Sequence, residues 1–471
     1  MKIKFLFLIM LFSGTVFSQD KSTVPVFKKR VLENTEVDFL ASYYAQDGSK
    51  SAVSGGVGSE KLTDVASNIV VAMPLNEDDV LTIDLGISAY SSASSSNINP
   101  FNSTGASSSG IPGGNGPNGT PWQASSGASR SDQLIAAGAN YSHSSDNRNF
   151  TWNTDVSFSN EYDYTSVGFG GGIATLFNEK NTELSFKANV YLDQWRPIYP
   201  TELHEYSLYG ANFIKQGYFT GVTVLDQNGQ GSTSYLPSAF QPITAVNRNS
   251  YSASFGFSQV VTKKLQFSIF FDILQQQGLL SSPYHRIYFA DKANYYIGQA
   301  QYINNYESTT NTGVYKLADD IERLPDSRSK IPLGARLNYY INERFIVRTY
   351  YRFYSDNWDI QSHTATIELP IKLSDKFTVF PMYRYYTQMA SKYYAPYETH
   401  LSTQRYYTSD ADLATFYANQ YGLGINYTDI FTAAKIWKFG LKNIDFRFNH
   451  YQRSDTLKAN IATIAFKFIM Q

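Results

Sequence analysis

The chain has 471 residues, 39 basic against 40 acidic side chains and no cysteine, and its 16% aromatic content sits beside a mean hydropathy of −0.31. That near-neutral balance excludes a polybasic surface for nucleic acid or anionic membrane as the main recognition device. Without cysteine there are no disulfides, no lipid tether at a signal-cleavage site and no thiolate-based zinc centre.

Lys2 and Lys4 precede the apolar run FLFLIMLF (5–12), and Val16 and Ser18 supply a small-residue cleavage pattern. Residues 1–18 therefore read as a secretory signal peptide, too short to cross a bilayer as a helix. Removing them takes two lysines and no acid, moving the formal charge from −1 to −3. Residues 19–34 read as a short periplasmic segment, and 35–471 as one barrel domain.

Beyond residue 34 the chain alternates apolar and polar residues in runs of about ten, the period of extended strands with two unlike faces. In chain order the runs lie near 35–45, 63–75, 80–91, 131–143, 150–160, 164–177, 183–193, 250–261, 265–275, 332–341, 345–355, 361–373, 377–388, 414–428, 442–452 and 457–470. Alternate connections are tight and rich in Asn and Asp: 76–79, 144–149, 178–182, 262–264, 342–344 and 374–376. Most of the others are long: 92–130, 194–249, 276–331 and 389–413.

These features predict an all-β fold, a transmembrane antiparallel up-and-down β-barrel of about 16 strands (14–18) with short periplasmic turns and long extracellular loops. A secreted β-sandwich or propeller is the alternative. The Gly/Ser/Asn-rich stretch 92–130 is expected to be a mobile outer loop. The segments 194–249 and 276–331 carry many aromatics and are expected to pack, over the mouth or into the lumen. The stretch DIFTAAKIWKFGL (429–441) breaks the pattern, either as a short periplasmic helix or as an early start to strand 15 with a bulge near Lys442. The last run sets Ile464, Phe466, Phe468 and Met470 on one face, as expected of an outward-facing final strand.

The stretch RFIVRTYYRFYSDNW (344–358) shows the two faces plainly. Phe345, Val347, Tyr351 and Phe353 want an apolar medium, whereas Arg344, Arg348 and Arg352 must be wet or paired. The first set is expected to face lipid, and Arg348 and Arg352 a wet or plugged lumen. Tyr-Tyr doublets, such as 43–44, 350–351 and 385–386, then put one ring on each face. They read as interfacial girdle and lumen filling, with stacking on sugars as the sharper alternative.

The segments ASYYAQDGSKSAVSGGVGSEKLTDV (41–65), YLDQWRPIYPTEL (191–203), QQQGLLSSPYHRIYF (275–289), ERLPDSRSKIPLGARLNYYI (322–341), YYRFYSDNWDIQSHTATIELP (350–370) and YYTSDADL (406–413) resemble a family of exported bacterial proteins known as domain of unknown function 3570. The resemblance runs over nearly all of the mature chain. It implies an outer-membrane barrel and no established activity or catalytic residue.

Specific chemistry is sparse. No histidine pair has metal-ligand spacing, and no metal or cofactor is expected. Ser281, Ser282 and His285 in SSPYHR are the nearest approach to a hydrolase site, and Asp410 and Asp412 read as solvated loop carboxylates rather than a calcium loop. GFGGGIA (168–174) lies inside a strand, where glycine allows bending. The candidate site is the lumen wall: Arg336, Arg348, Arg352 and Arg384 against Glu368 on strands 10 to 13, with Asp445 and Arg447 on strand 15. One carboxylate pairs with about two guanidiniums, so a basic excess remains.

The expected function is a channel or transporter-like pore of the Gram-negative outer membrane with a mild preference for small anions. A scaffold that binds a protein or surface ligand through its long loops is the second reading, and a barrel-embedded hydrolase the third. Lipid is an expected partner, and nucleic acid is not.

Overall fold

The computed structural model of the protein describes residues 30–92, 131–307 and 313–471. Residues 1–29 (the expected signal peptide among them), the low-complexity connection 93–130 and residues 308–312 lie outside them.

Sixteen strands form the wall. They are β1 (Glu36–Asp47), β2 (Leu62–Pro74), β3 (Asp79–Ser92), β4 (Ser131–Ser144), β5 (Phe150–Asn160), β6 (Tyr164–Phe177), β7 (Thr182–Trp195) and β8 (Asn247–Thr262). Then follow β9 (Leu265–Gly278), β10 (Ser327–Tyr340), β11 (Ile346–Asp356), β12 (Gln361–Glu368, resuming at Ile371–Lys372), β13 (Phe377–Gln388), β14 (Phe416–Thr428), β15 (Phe439–Arg453) and β16 (Lys458–Met470). Each pairs antiparallel with its sequence neighbour, and β1 pairs with β16 from Glu36↔Ile469 to Asp47↔Lys458. That last pairing closes the barrel and leaves no strand edge, the condition for a sheet to cross a bilayer.

Side chains enforce the inner turns. Asn76 Oδ1 accepts from the amides of Asp78 and Asp79 at 2.8 and 2.9 Å. Asn342 Oδ1 does the same for Arg344 and Phe345 at 2.9 and 3.1 Å. Arg344 thus lies in the turn 342–344, as its sequence indicates. β12 breaks at Leu369-Pro370 because proline has no N–H for the ladder, although its carbonyl still accepts from Ile346 at 3.1 Å. Of the two readings of 429–441, the early strand start holds: β15 begins at Phe439, and its register with β16 shifts between Leu441 and Asn443, around Lys442.

Outward positions are apolar and exposed, among them Leu85, Val156, Phe169, Leu333, Tyr351, Leu423 and Phe448. Phe186, Phe255 and Phe271 form a row across β7, β8 and β9, with ring centroids 4.9 and 4.7 Å apart. Cross-strand aromatic neighbours of this kind stabilise a sheet face while presenting hydrocarbon to lipid.

The buried apolar core lies elsewhere, in the connections. Residues 196–246, 279–307, 313–326 and 389–415 fold together with 48–61 into a cap on the outer ends of the strands. Its clusters include Phe213, Phe219, Tyr235 and Ile297; Leu203, Phe240, Tyr288 and Ile321; and Ile287, Phe289 and Tyr407. A helix, α1 (Thr201–Tyr209), and the short strands Val224–Asp226, Tyr295–Gly298 and Val314–Lys316 give it regular structure.

Buried ion pairs tie the connections to one another. Arg286 donates bidentately to Glu202 at 2.7 and 2.9 Å. Lys316 Nζ lies 3.0 Å from Glu398 and 4.5 Å above the Tyr288 ring. The cap is anchored at the rim. Trp195, ending β7, packs edge-on against Tyr284 at 6.1 Å, and Gln388, ending β13, donates to the carbonyls of Asp412 and Ala414 at 2.8 and 2.7 Å.

Candidate functional site

Alternation along β10 to β15 turns the predicted charged residues into the lumen. Register sets Arg336 beside Tyr350, Arg348 beside Glu368 and Arg384 beside Thr366. Glu368 holds two guanidiniums: Arg348 Nη1 donates to Oε1 at 3.0 Å and Arg447 Nη1 to Oε2 at 2.8 Å. Arg447 also donates to Asp445 at 2.9 Å. The Glu368–Arg447 bond reaches over β13 and β14, with Phe380 beneath it, 4.9 Å from the guanidinium carbon to the ring centroid. Gly424 on β14 leaves room for the arginine stem, since a Cβ there would stand 3.1 Å from Arg447 Cγ.

Three arginines remain without a carboxylate partner among the described residues. Arg336 lies 5.4 Å from the Phe270 ring and 5.6 Å from that of Tyr350. Arg384 donates to Thr366 Oγ1 at 3.0 Å. Arg352 stands two alternations further out on β11, opposite Thr364 rather than Glu368. Such wet guanidiniums keep their charge available to a solute.

The opposite wall carries the other sign. In a ring of sixteen, β2, β3 and β5 lie across from β10, β11 and β13. There Asp64 accepts from Ser88 Oγ at 2.5 Å and Asp84 from Asn68 Nδ2 at 2.8 Å. Asp155 lies 3.2 Å from Lys187 Nζ. Reading strands 10 to 13 alone missed this acidic side. The signal was present in the alternation, because each aspartate precedes an outward apolar residue, Val65, Leu85 or Val156. The glycines of GFGGGIA do more than permit bending. A Cβ at Gly168 would meet the Tyr191 ring at 2.8 Å, so glycine lets neighbouring side chains lie flat along the lumen wall.

In the cap, His285, Glu322 and Asp410 converge, with one ligand-capable atom of each within 4.8 Å of the others. Burial pushes the Asp410 carboxyl up to about 7, the Asp412 charge adding to it and His285 opposing it. Asp410 is therefore not the solvated loop carboxylate expected from sequence. Burial works against the His285 imidazolium, but the Glu322 and Asp410 charges more than offset it, and its pKa is raised. The serine–histidine pairing does not form: Ser281 Oγ accepts from the Leu324 amide at 2.8 Å, and the imidazole turns to Glu322.

A closed sheet with an outward apolar belt, a charged interior and a folded outer cap defines a transmembrane β-barrel. The chain belongs to the family described as protein of unknown function (DUF3570), whose profile matches residues 8–465. No curated protein matches it. Solved structures similar to it include a bacterial polysaccharide outer-membrane secretin, with 8% identity over 93% of this chain and 98% of that one and a TM-score of 0.41. The Pseudomonas putida toluene transporter TodX is 10% identical over 93% and 90%, with a TM-score of 0.37. Pseudomonas aeruginosa OccK2 in complex with glucuronate is 8% identical over 94% and 99%, with a TM-score of 0.38.

Proposed function

We propose that the protein is an outer-membrane pore for small anionic solutes, entered beneath the cap. The observation that carries this reading is the lumen wall of β10 to β13, where Arg336, Arg352 and Arg384 point inward without a carboxylate to neutralise them. In a confined lumen, fixed charges focus the field and raise the local concentration of counter-ions. The aspartates across the lumen make that field transverse. An anion is drawn to the arginine side, and its hydroxyl or amine groups are left facing acceptors on the other.

Reversal potentials across a planar bilayer in a salt gradient test the reading. The expected result is a mild anion preference that moves toward cations in an Arg352→Glu/Arg384→Glu variant. Cation preference that the variant leaves unchanged would overturn it. The cap, with its own buried core, also suits a scaffold that displays a binding surface, and a protein that does not conduct even after cap removal would favour that second reading.

A further inference from the structure

From these positions we infer that the cap binds a divalent transition-metal ion, of the zinc or manganese kind, through His285, Glu322 and Asp410. The three residues are far apart in sequence and are brought together by two different connections, 279–326 and 389–415. Their side chains offer one imidazole nitrogen and two carboxylates, within 4.8 Å of one another. The His285 and Glu322 side chains are 13% and 3% exposed.

The hydrogen bonds around the cluster orient the carboxylates and leave ligand capacity free. Glu322 Oε1 accepts from the Ser282 amide at 2.7 Å and Oε2 from Thr408 Oγ1 at 2.5 Å. Asp410 Oδ1 accepts from the Asp412 amide at 2.9 Å. His285 Nδ1 is the second, independent sign. It is buried without a hydrogen-bond partner and stands 3.5 Å from Glu322 Oε2. A buried imidazole nitrogen that faces a carboxylate at ion-pair distance but makes no hydrogen bond is costly unless a ligand completes it.

The donor set selects the ion. Imidazole with carboxylates suits zinc, manganese and similar ions, whereas calcium and magnesium take oxygen donors. Metal–ligand bonds of about 2.1 Å set neighbouring ligand atoms about 3–3.5 Å apart. His285 and Glu322 already stand at that spacing, and Asp410 closes the set by a movement of about an ångström.

The ion would staple two connections of the cap and, through Asp412 and its ion pair with Arg453, hold them to the outer end of β15. Ligand residues close to one another only in the folded cap make metal binding and cap folding one equilibrium.

The test uses the full-length protein folded in detergent, stripped with a chelator and equilibrated with zinc alone or manganese alone, with bound metal counted after gel filtration. One ion per chain is expected, with at least a tenfold loss of affinity in both His285→Ala and Asp410→Asn and no loss in His204→Ala, an exposed cap histidine outside the cluster. Trypsin cleavage after Lys292 and Arg405 should slow when metal is restored to the native protein and not to the two cluster variants. Heat-modifiable gel migration reports that each barrel is folded, and either cluster variant suffices if the other misfolds. Uptake of neither ion, or uptake that His285→Ala leaves intact, would overturn the site. So would calcium binding that depends on Asp410 and not on His285.

Discussion

Asp319 accepts the Phe289 amide at 2.9 Å inside the cap. Burial pushes its carboxyl up to about 6 despite that bond and the Lys316 charge. A raised folded value means that the cap holds this proton more tightly than the unfolded chain, whose carboxyl titrates near 3.9. Its favourable contribution is therefore full below about pH 4 and is lost as pH rises through about 6. A shift of about two units corresponds to on the order of 2–3 kcal/mol. Melting of the cap, followed by fluorescence of Trp195 and Trp358, should show lower stability at pH 7 than at pH 4.5. Asp319→Asn, which keeps an acceptor for Phe289, should narrow that drop, and an unchanged pH profile would contradict the assignment. At this scale the sequence set Glu368 among arginines on β10 to β13 but did not name Arg447 as its second partner. The bond from Glu368 to Arg447 crosses two strands, and no local period encodes it.

Strands were the most legible elements, because a period of two with one face in lipid leaves little freedom of register. A slip of one residue on β8 would turn Phe255 inward and Ser254 outward. An arginine at mid-bilayer on the lipid face costs about 2–4 kcal/mol. Phe255→Arg is therefore expected to lower stability by about that much in urea titrations of the protein in vesicles. Ser254→Arg, whose side chain enters the lumen between Lys187 and Asp272, should cost far less. Equal losses would mean that the two faces are exchanged. Strand ends were less legible. β10 begins at Ser327 rather than near 332, since its outer end is mostly polar and is ordered by bonds to the end of β11 such as Arg328 Nε to Asp356 at 2.9 Å.

For the whole molecule, the alternation of short and long connections sets the orientation. The chain lacks cysteine, so single substitutions at Asn228 in the cap and at Asp375 in an inner turn can be labelled cleanly on intact cells. Label at 228 and none at 375 is expected, and the reverse would invert the topology. The cap should also restrict conduction. Gly278 and Asp326 are joined by a backbone hydrogen bond of 2.8 Å, so 279–325 can be replaced by a short linker without stretching the rim. Conductance of that variant should exceed that of the full chain, and equal conductance would show that the cap leaves the mouth open.

The sequence by itself determined the wall: the number of strands, their faces, the inner turns and the basic side of the lumen. Each depends on a short-range period, or on a turn residue whose side chain bonds its own backbone. Only the tertiary structure decided the rest. It opposed the aspartates of β2, β3 and β5 to the arginines of β10 to β13, because barrel closure sets which strands face each other. It folded the long connections into one cap, and within that cap it gathered His285, Glu322 and Asp410 from two of them. Burial then gave those three residues a chemistry that no spacing in the chain announces.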